Sequence, residues 1–172
     1  MNAVNTSPAL TDPRRLLALA GIDLDNPDLQ RELDAISART AGRLGLPIGL
    51  VSLVLDTTQV FAGSHGVGGW LAAAGGTPVE WSFCAHTVTT GEPYIVDDAV
   101  NDSVQADNPL VTIDNVGSYA GVPLVVGGQV LGAHCVIGTT AHVFTDADLA
   151  ELRIAAGDII AVLQQYPLPD RC

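Results

Sequence analysis

The residues best equipped for chemistry fall into two short pairs, Cys84 with His86 and His134 with Cys135. Thiolates and imidazoles ligate zinc and softer metals, and a thiolate is also a nucleophile. Spacing limits what each pair can do. Residues two apart on a helix project about 200° apart, so Cys84 and His86 cannot both face one ion. Neighbours on a strand point to opposite sides of a sheet, which separates His134 from Cys135. At most one member of each pair can line a common site, and a zinc site would have to recruit Glu80, His65 or His142 as well. A metal- or haem-binding alternative therefore rests on His86, His134 and Cys84. A thiol-redox alternative uses Cys84, at a helix N-terminus that favours the thiolate, with Cys135 as resolving thiol. Without such roles, both cysteines are small buried apolar side chains and His86 is a hydrogen-bonded core or rim residue. Cys172 is the third cysteine, and the three make neither a CxxC pair nor a disulfide framework.

Two other sets of side chains bear on recognition. Trp70, Trp81, Phe83 and Tyr119 are able to stack on a planar ligand, and Trp70 stands beside Gly68-Gly69, in a stretch that reads as a loop. Asp97, Asp98, Asp102, Asp107 and Asp114 lie along one polar connection. They lack the alternate-position pattern, central Gly and closing Glu of an EF-hand, so they read as a solvated segment rather than a cation site.

The elements that must position these residues follow from composition and periodicity. The chain has 172 residues, 48% of them hydrophobic, with 19 acids, 7 arginines and no lysine. That length fits one domain with its own core. A net charge of −12 argues against nucleic acid or an anionic membrane surface as partner. No run approaches the roughly 18 apolar residues of a bilayer span, and the N-terminus lacks a secretory pattern, so a cytoplasmic location is expected. Residues 1–25 read as a flexible leader with one short helix after Arg14-Arg15. Asn26-Pro27 then caps a helix carrying Leu29, Leu33, Ile36, Thr40 and Leu44 on one face.

Residues 48–55 and 59–64 form a hairpin, and 66–76 a Gly- and Ala-rich loop, either without helix or with one turn of it. Residues 82–90 read as a short helix with Ser82 as its cap, and Tyr94-Ile95-Val96 as a strand. Pro109-Leu110-Val111 is an apolar patch tucked onto the core. Residues 119–126 and 129–137 pair across Gly127-Gly128, and Thr145 opens a final helix through Leu163. Ile154, Ile160 and Val162 lie off that helix's main apolar stripe, which predicts a homodimer through helices. Residues 167–172 form a tail. The order of elements specifies an α+β domain with one antiparallel sheet.

Several blocks in order carry a family resemblance: Ser82-Phe83-Cys84-Ala85-His86-Thr87, Asp107-Asn108-Pro109-Leu110-Val111, Ala120-Gly121-Val122-Pro123-Leu124, Leu131-Gly132-Ala133-His134-Cys135-Val136-Ile137 and Phe144-Thr145-Asp146. The chain resembles the GAF domain family over roughly residues 28–165, most closely the modules of bacterial sensor kinases and diguanylate cyclases. The resemblance implies a six-stranded antiparallel sheet with N- and C-terminal helices on one face and a ligand pocket on the other. Five strands are read directly, and the sixth is expected in or near residues 113–116. It places the domain at residues 26–166 and implies a small-molecule effector, with Trp70, Phe83, His86, Tyr119 and His134 as candidate contacts. His134 stands where the family usually has an aliphatic residue. With the chain ending at Cys172, a non-enzymatic module acting through a dimer or a separate signalling protein is expected. Free-methionine sulfoxide reductases share the fold, but their nucleophile position falls here at Thr112-Ile113, which holds no cysteine.

Overall fold

The computed structural model describes residues 7–170. The first six residues of the expected leader and Cys172 of the expected tail lie outside the described residues. The chain runs α1 (Pro13–Ala20), α2 (Pro27–Leu44), β1 (Ile48–Val54), β2 (Thr58–His65), α3 (Gly69–Ala74), β3 (Gly76–Pro78), α4 (Cys84–Thr90), β4 (Tyr94–Val96), α5 (Pro109–Thr112), β5 (Ser118–Val126), β6 (Gln129–Gly138) and α6 (Asp146–Gln164). Six strands make one antiparallel sheet in the order β3-β2-β1-β6-β5-β4.

Local chemistry sets the boundaries of these elements. The Asn26 side chain accepts from the Asp28 N–H, and Pro27 occupies the first helical position of α2, where no donor is needed. Thr145 and Asp148 cap one another's backbone at the start of α6. Gly127 and Gly128 both take positive φ, 57° and 79°, the turn that suits the twist of β5 and β6. The Gly66–Gly76 stretch holds the single short helix α3, and Pro109-Leu110-Val111 forms α5 with Leu110 and Val111 buried.

The sixth strand is not at residues 113–116. That segment leaves α5 as irregular chain, and the sixth strand is β3, on the opposite edge of the sheet beside β2. Three residues containing Gly76 and Pro78 carry no period-two signal, and Pro is tolerated because β3 has a free edge. A second difference concerns the leader. Pro8–Thr11, inside the stretch read as flexible, forms a 3-10 turn, and Leu10 is buried. Arg15 holds this segment down from α1. Its guanidinium is buried and donates to the carbonyls of Ala9, Leu10 and Val54.

Strand alternation divides the interior into two cores. Val51, Leu53, Val122, Leu124, Leu131 and Val136 face α2 and α6, which contribute Leu29, Leu33, Ile36, Leu152, Ile159 and Leu163. Leu50, Val54, Tyr119, Ala133 and Cys135 point the other way, under α4, α5 and their flanking loops. Terminal helices thus close one face and shorter segments cover the other. A cavity lies beneath the second cover, and on the helical face a more open groove runs between β5 and α6.

Candidate functional site

A cavity of about 240 Å³ lies between the second face of the sheet and its cover. Alternate positions of the central strands build its floor: Ile48 and Leu50 from β1, Tyr119 from β5, Cys135 and Ile137 from β6. Gln59 and Phe61 of β2 add one wall. Val67, Leu71, Phe83, Leu110, Asp114 and Val116 come from the cover. Engineered cavities of about 150 Å³ hold benzene, so this space admits a molecule somewhat larger than one ring and far smaller than a tetrapyrrole.

Two of the five expected contacts line this space, Phe83 and Tyr119. Their rings lie 5.1 Å apart between centroids. Gly121 makes room for the Tyr119 hydroxyl, since a Cβ there would fall 2.3 Å from it. Trp70 sits at the outer edge, 45% exposed, with its indole N–H donating to Asp114 at 2.8 Å and its ring edge-on to Trp81. Trp70 therefore acts on the cavity through Asp114.

The two histidines lie elsewhere. His134 is fully buried on the helix-bearing face of the sheet. Its Nδ1 is 2.8 Å from the Leu50 carbonyl, which can only accept, so that nitrogen carries the proton. Nε2 then accepts from the Thr40 hydroxyl of α2 at 2.9 Å. Burial holds this imidazole neutral, with a pKa pushed down to about 4. His86 points off the other side of α4. It stacks on Tyr94 at 4.3 Å and accepts from the Gln105 amide at 3.1 Å, and burial lowers its pKa. Gln105 also donates to Tyr94 and accepts from Asn108. This network anchors the connection between β4 and β5 to α4.

His86, His134 and Cys84 thus stand in three different surroundings, which separates the donors of the metal or haem alternative. Among the described residues, no three His, Cys, Asp or Glu side chains are grouped to hold a metal ion.

The two thiols do meet. Cys84, at the start of α4, and Cys135, on β6, place their sulphurs 3.8 Å apart on the cavity floor, with the Tyr119 hydroxyl 3.0 Å from Cys84. Hydrogen bonding from Cys135 lowers the Cys84 thiol below its ordinary range, although burial opposes it. The same contact, reinforced by burial, pushes Cys135 well up, and burial does the same to Tyr119. Cys84 is therefore the more acidic thiol of the pair.

Sequence reasoning did not single out Gln59 or Asp114 as cavity residues. Gln59 is spent on structure. Its carbonyl accepts from Ser52 and Ser82, and its amide donates to Thr77. By residue type Asp114 is one of several acids in a solvated connection. No residue-type pattern separates it from its neighbours, because its position depends on how the segment after α5 returns to the sheet.

Comparison with solved structures defines the class of this fold. The GAF domain of a phosphoenolpyruvate-protein phosphotransferase from Coxiella burnetii superposes with a TM-score of 0.68 at 16% identity, over 92% of this chain and 96% of its own. A type II free methionine-R-sulfoxide reductase from Thermoplasma acidophilum gives 0.67 at 12% identity, over 85% and 99%. The blue-light-absorbing form of the PixJ GAF domain from Thermosynechococcus elongatus gives 0.66 at 14%, over 80% and 86%. A comparison with curated proteins finds no match. The family model described as "GAF domain" matches residues 28–163. The chain belongs to the GAF domain family, known for small-molecule sensing in signalling proteins. Among the described residues, no helix is long and apolar enough to cross a membrane.

Proposed function

We propose that this chain is a sensory or regulatory module that binds a small-molecule effector over its sheet and acts through a homodimer or a separate signalling protein. The cavity carries the reading. A well-packed interior leaves few voids larger than a water molecule, whereas 240 Å³ is kept open here beneath α3 and α5. Phe83 and Tyr119 supply aromatic walls, and Trp70 closes the rim through Asp114. Occupancy of such a space stabilises its cover, and a shift in α3, α4 or α5 is then available to a partner.

Native mass spectrometry of freshly purified protein tests this. A small-molecule adduct is expected on the wild-type chain and should be absent from Val116→Phe, which fills the cavity, while circular dichroism stays unchanged. An adduct retained by the filled variant would place the ligand elsewhere. A wild-type chain carrying no adduct counts against the reading.

A further inference from the structure

Resting on that reading, we infer that the effector is a small, mainly apolar molecule bearing one cationic amine, and that Asp114 is the group that recognises it. Few polar side chains line the cavity. Its described lining is aliphatic or aromatic except for Gln59, the two thiols, the Tyr119 hydroxyl and Asp114. The Gln59 oxygen accepts from Ser52 and Ser82, and its nitrogen donates to Thr77. The Tyr119 hydroxyl and Cys84 satisfy one another, and Cys84 also reaches Cys135.

Within the described lining, Asp114 holds the oxygen that has no partner. Its Oδ1 accepts from the Trp70 indole at 2.8 Å, while Oδ2 is buried with no hydrogen-bond partner. Two other buried side-chain atoms among the described residues are also unpartnered, Thr87 Oγ1 and Ser118 Oγ, but neither residue lines the cavity. A carboxylate oxygen left without a donor is costly; Oδ2 has no open surface, so a ligand N–H meets it once the carboxylate turns toward the cavity, and the charge-assisted bond then offsets that cost.

The sign of the ligand follows from the same lining. Asp114 is its only carboxylate or cationic side chain, and no arginine is present to receive a phosphate or carboxylate. An anionic effector would meet the like charge of Asp114. A neutral apolar molecule would fit but leave Oδ2 unmet. An ammonium on a short apolar body satisfies both the walls and the acid.

Isothermal titration of the full chain with three probes of similar shape and different charge tests this: phenethylamine, 2-phenylethanol and phenylacetate at pH 7. The amine is expected to bind at least tenfold more tightly than the alcohol, and phenylacetate more weakly than either. In Asp114→Asn the remaining carbonyl still accepts from Trp70, so the fold should hold, as Trp fluorescence will report. There the preference for the amine should fall below threefold. An alcohol that matches the amine in the wild-type chain, or an amine preference that survives in Asp114→Asn, overturns the inference while leaving a ligand-binding cavity intact. Failure of all three probes also overturns it. The adduct experiment on Val116→Phe then decides separately whether the cavity is a receptor site.

Discussion

His134 shows how far a single residue can be read before its surroundings are known. Strand alternation required that it and Cys135 face opposite sides, and they do. Which side held the cavity depended on where the helices dock, and only the fold supplies that. The imidazole is consumed by Leu50 and Thr40, so it links β6 to β1 and α2 rather than facing a ligand. This placement has a measurable cost in acid. The unfolded chain takes up a proton near pH 6.5, whereas the folded ring resists it until about pH 4. The unfolded state therefore binds more protons through that window, and stability falls as pH drops from 6.5 toward 4. The loss attributable to His134 is on the order of 3 kcal/mol at the bottom of the window. Burial of His86 acts with the same sign. Urea denaturation at pH 7.0, 6.0 and 5.0 should show wild-type stability declining more steeply than that of His134→Gln. Equal slopes would mean that the ring is not held neutral.

At the scale of elements, the sequence is informative where local chemistry decides and silent where distant contacts do. The caps of α2 and α6, the Gly127-Gly128 turn and the long strands β1, β5 and β6 are visible in residue type and period. Strand β3 is invisible because three residues on a sheet edge need no apolar alternation. The N-terminal segment escapes for another reason. Its docking relies on one charged residue, and a buried guanidinium leaves no mark on hydropathy. Arg15 connects three carbonyls from two separate parts of the chain, Ala9 and Leu10 in the N-terminal turn and Val54 at the end of β1. Arg15→Ala strands these acceptors and frees the 3-10 turn that carries Leu10 into the cavity-side core. The expected loss is about 2–4 kcal/mol, since each buried acceptor left without a donor costs about 1–3 kcal/mol and part of that is recovered by water. Arg15→Lys should recover only part of it, because an ammonium cannot reproduce the fork of the guanidinium. Thermal melts of the three proteins check the order wild type, Lys, Ala. Hydrogen exchange at residues 8–20 locates the loss, and protection unchanged in Arg15→Ala would show that the segment is held by its apolar contacts alone.

For the molecule as a whole, one antiparallel sheet carrying helices was legible from the order of elements, and its division into a helical face and a cavity face from the family resemblance, whereas the cavity's polar inventory was not. One surface remains to be explained by assembly. Along α6 the residues Ala147, Ala150, Ile154, Gly157 and Ala161 follow one another at spacings of three and four, and all are exposed. Ile160 and Val162, expected with Ile154 on a second apolar face, are instead half-buried and pack against the helix-side core, so the free stripe is narrower than periodicity alone suggested. Ile154 is 61% exposed. Gly157 is harder to rationalise within one chain. A glycine inside a helix costs about 1 kcal/mol relative to alanine, and a Cβ at Gly157 would meet nothing within 4 Å. The domain has no steric need of it. Small residues around one large apolar side chain, repeated at this spacing, let a second helix approach closely. Such an arrangement suits α6 of one protomer against α6 of its partner. Arg39–Asp158 and Arg43–Glu151 join α6 to α2 across exposed surface. Sedimentation equilibrium at micromolar concentration should therefore report a dimer for the wild-type chain. Ile154→Asp should be monomeric, with a melting temperature close to that of an equally dilute wild-type sample. Gly157→Leu, which blocks close approach without touching the core, should weaken the dimer by at least tenfold. A monomeric wild-type chain, or two variants that dimerise as well as it does, would leave Gly157 without a function and remove the α6 stripe as the route of output.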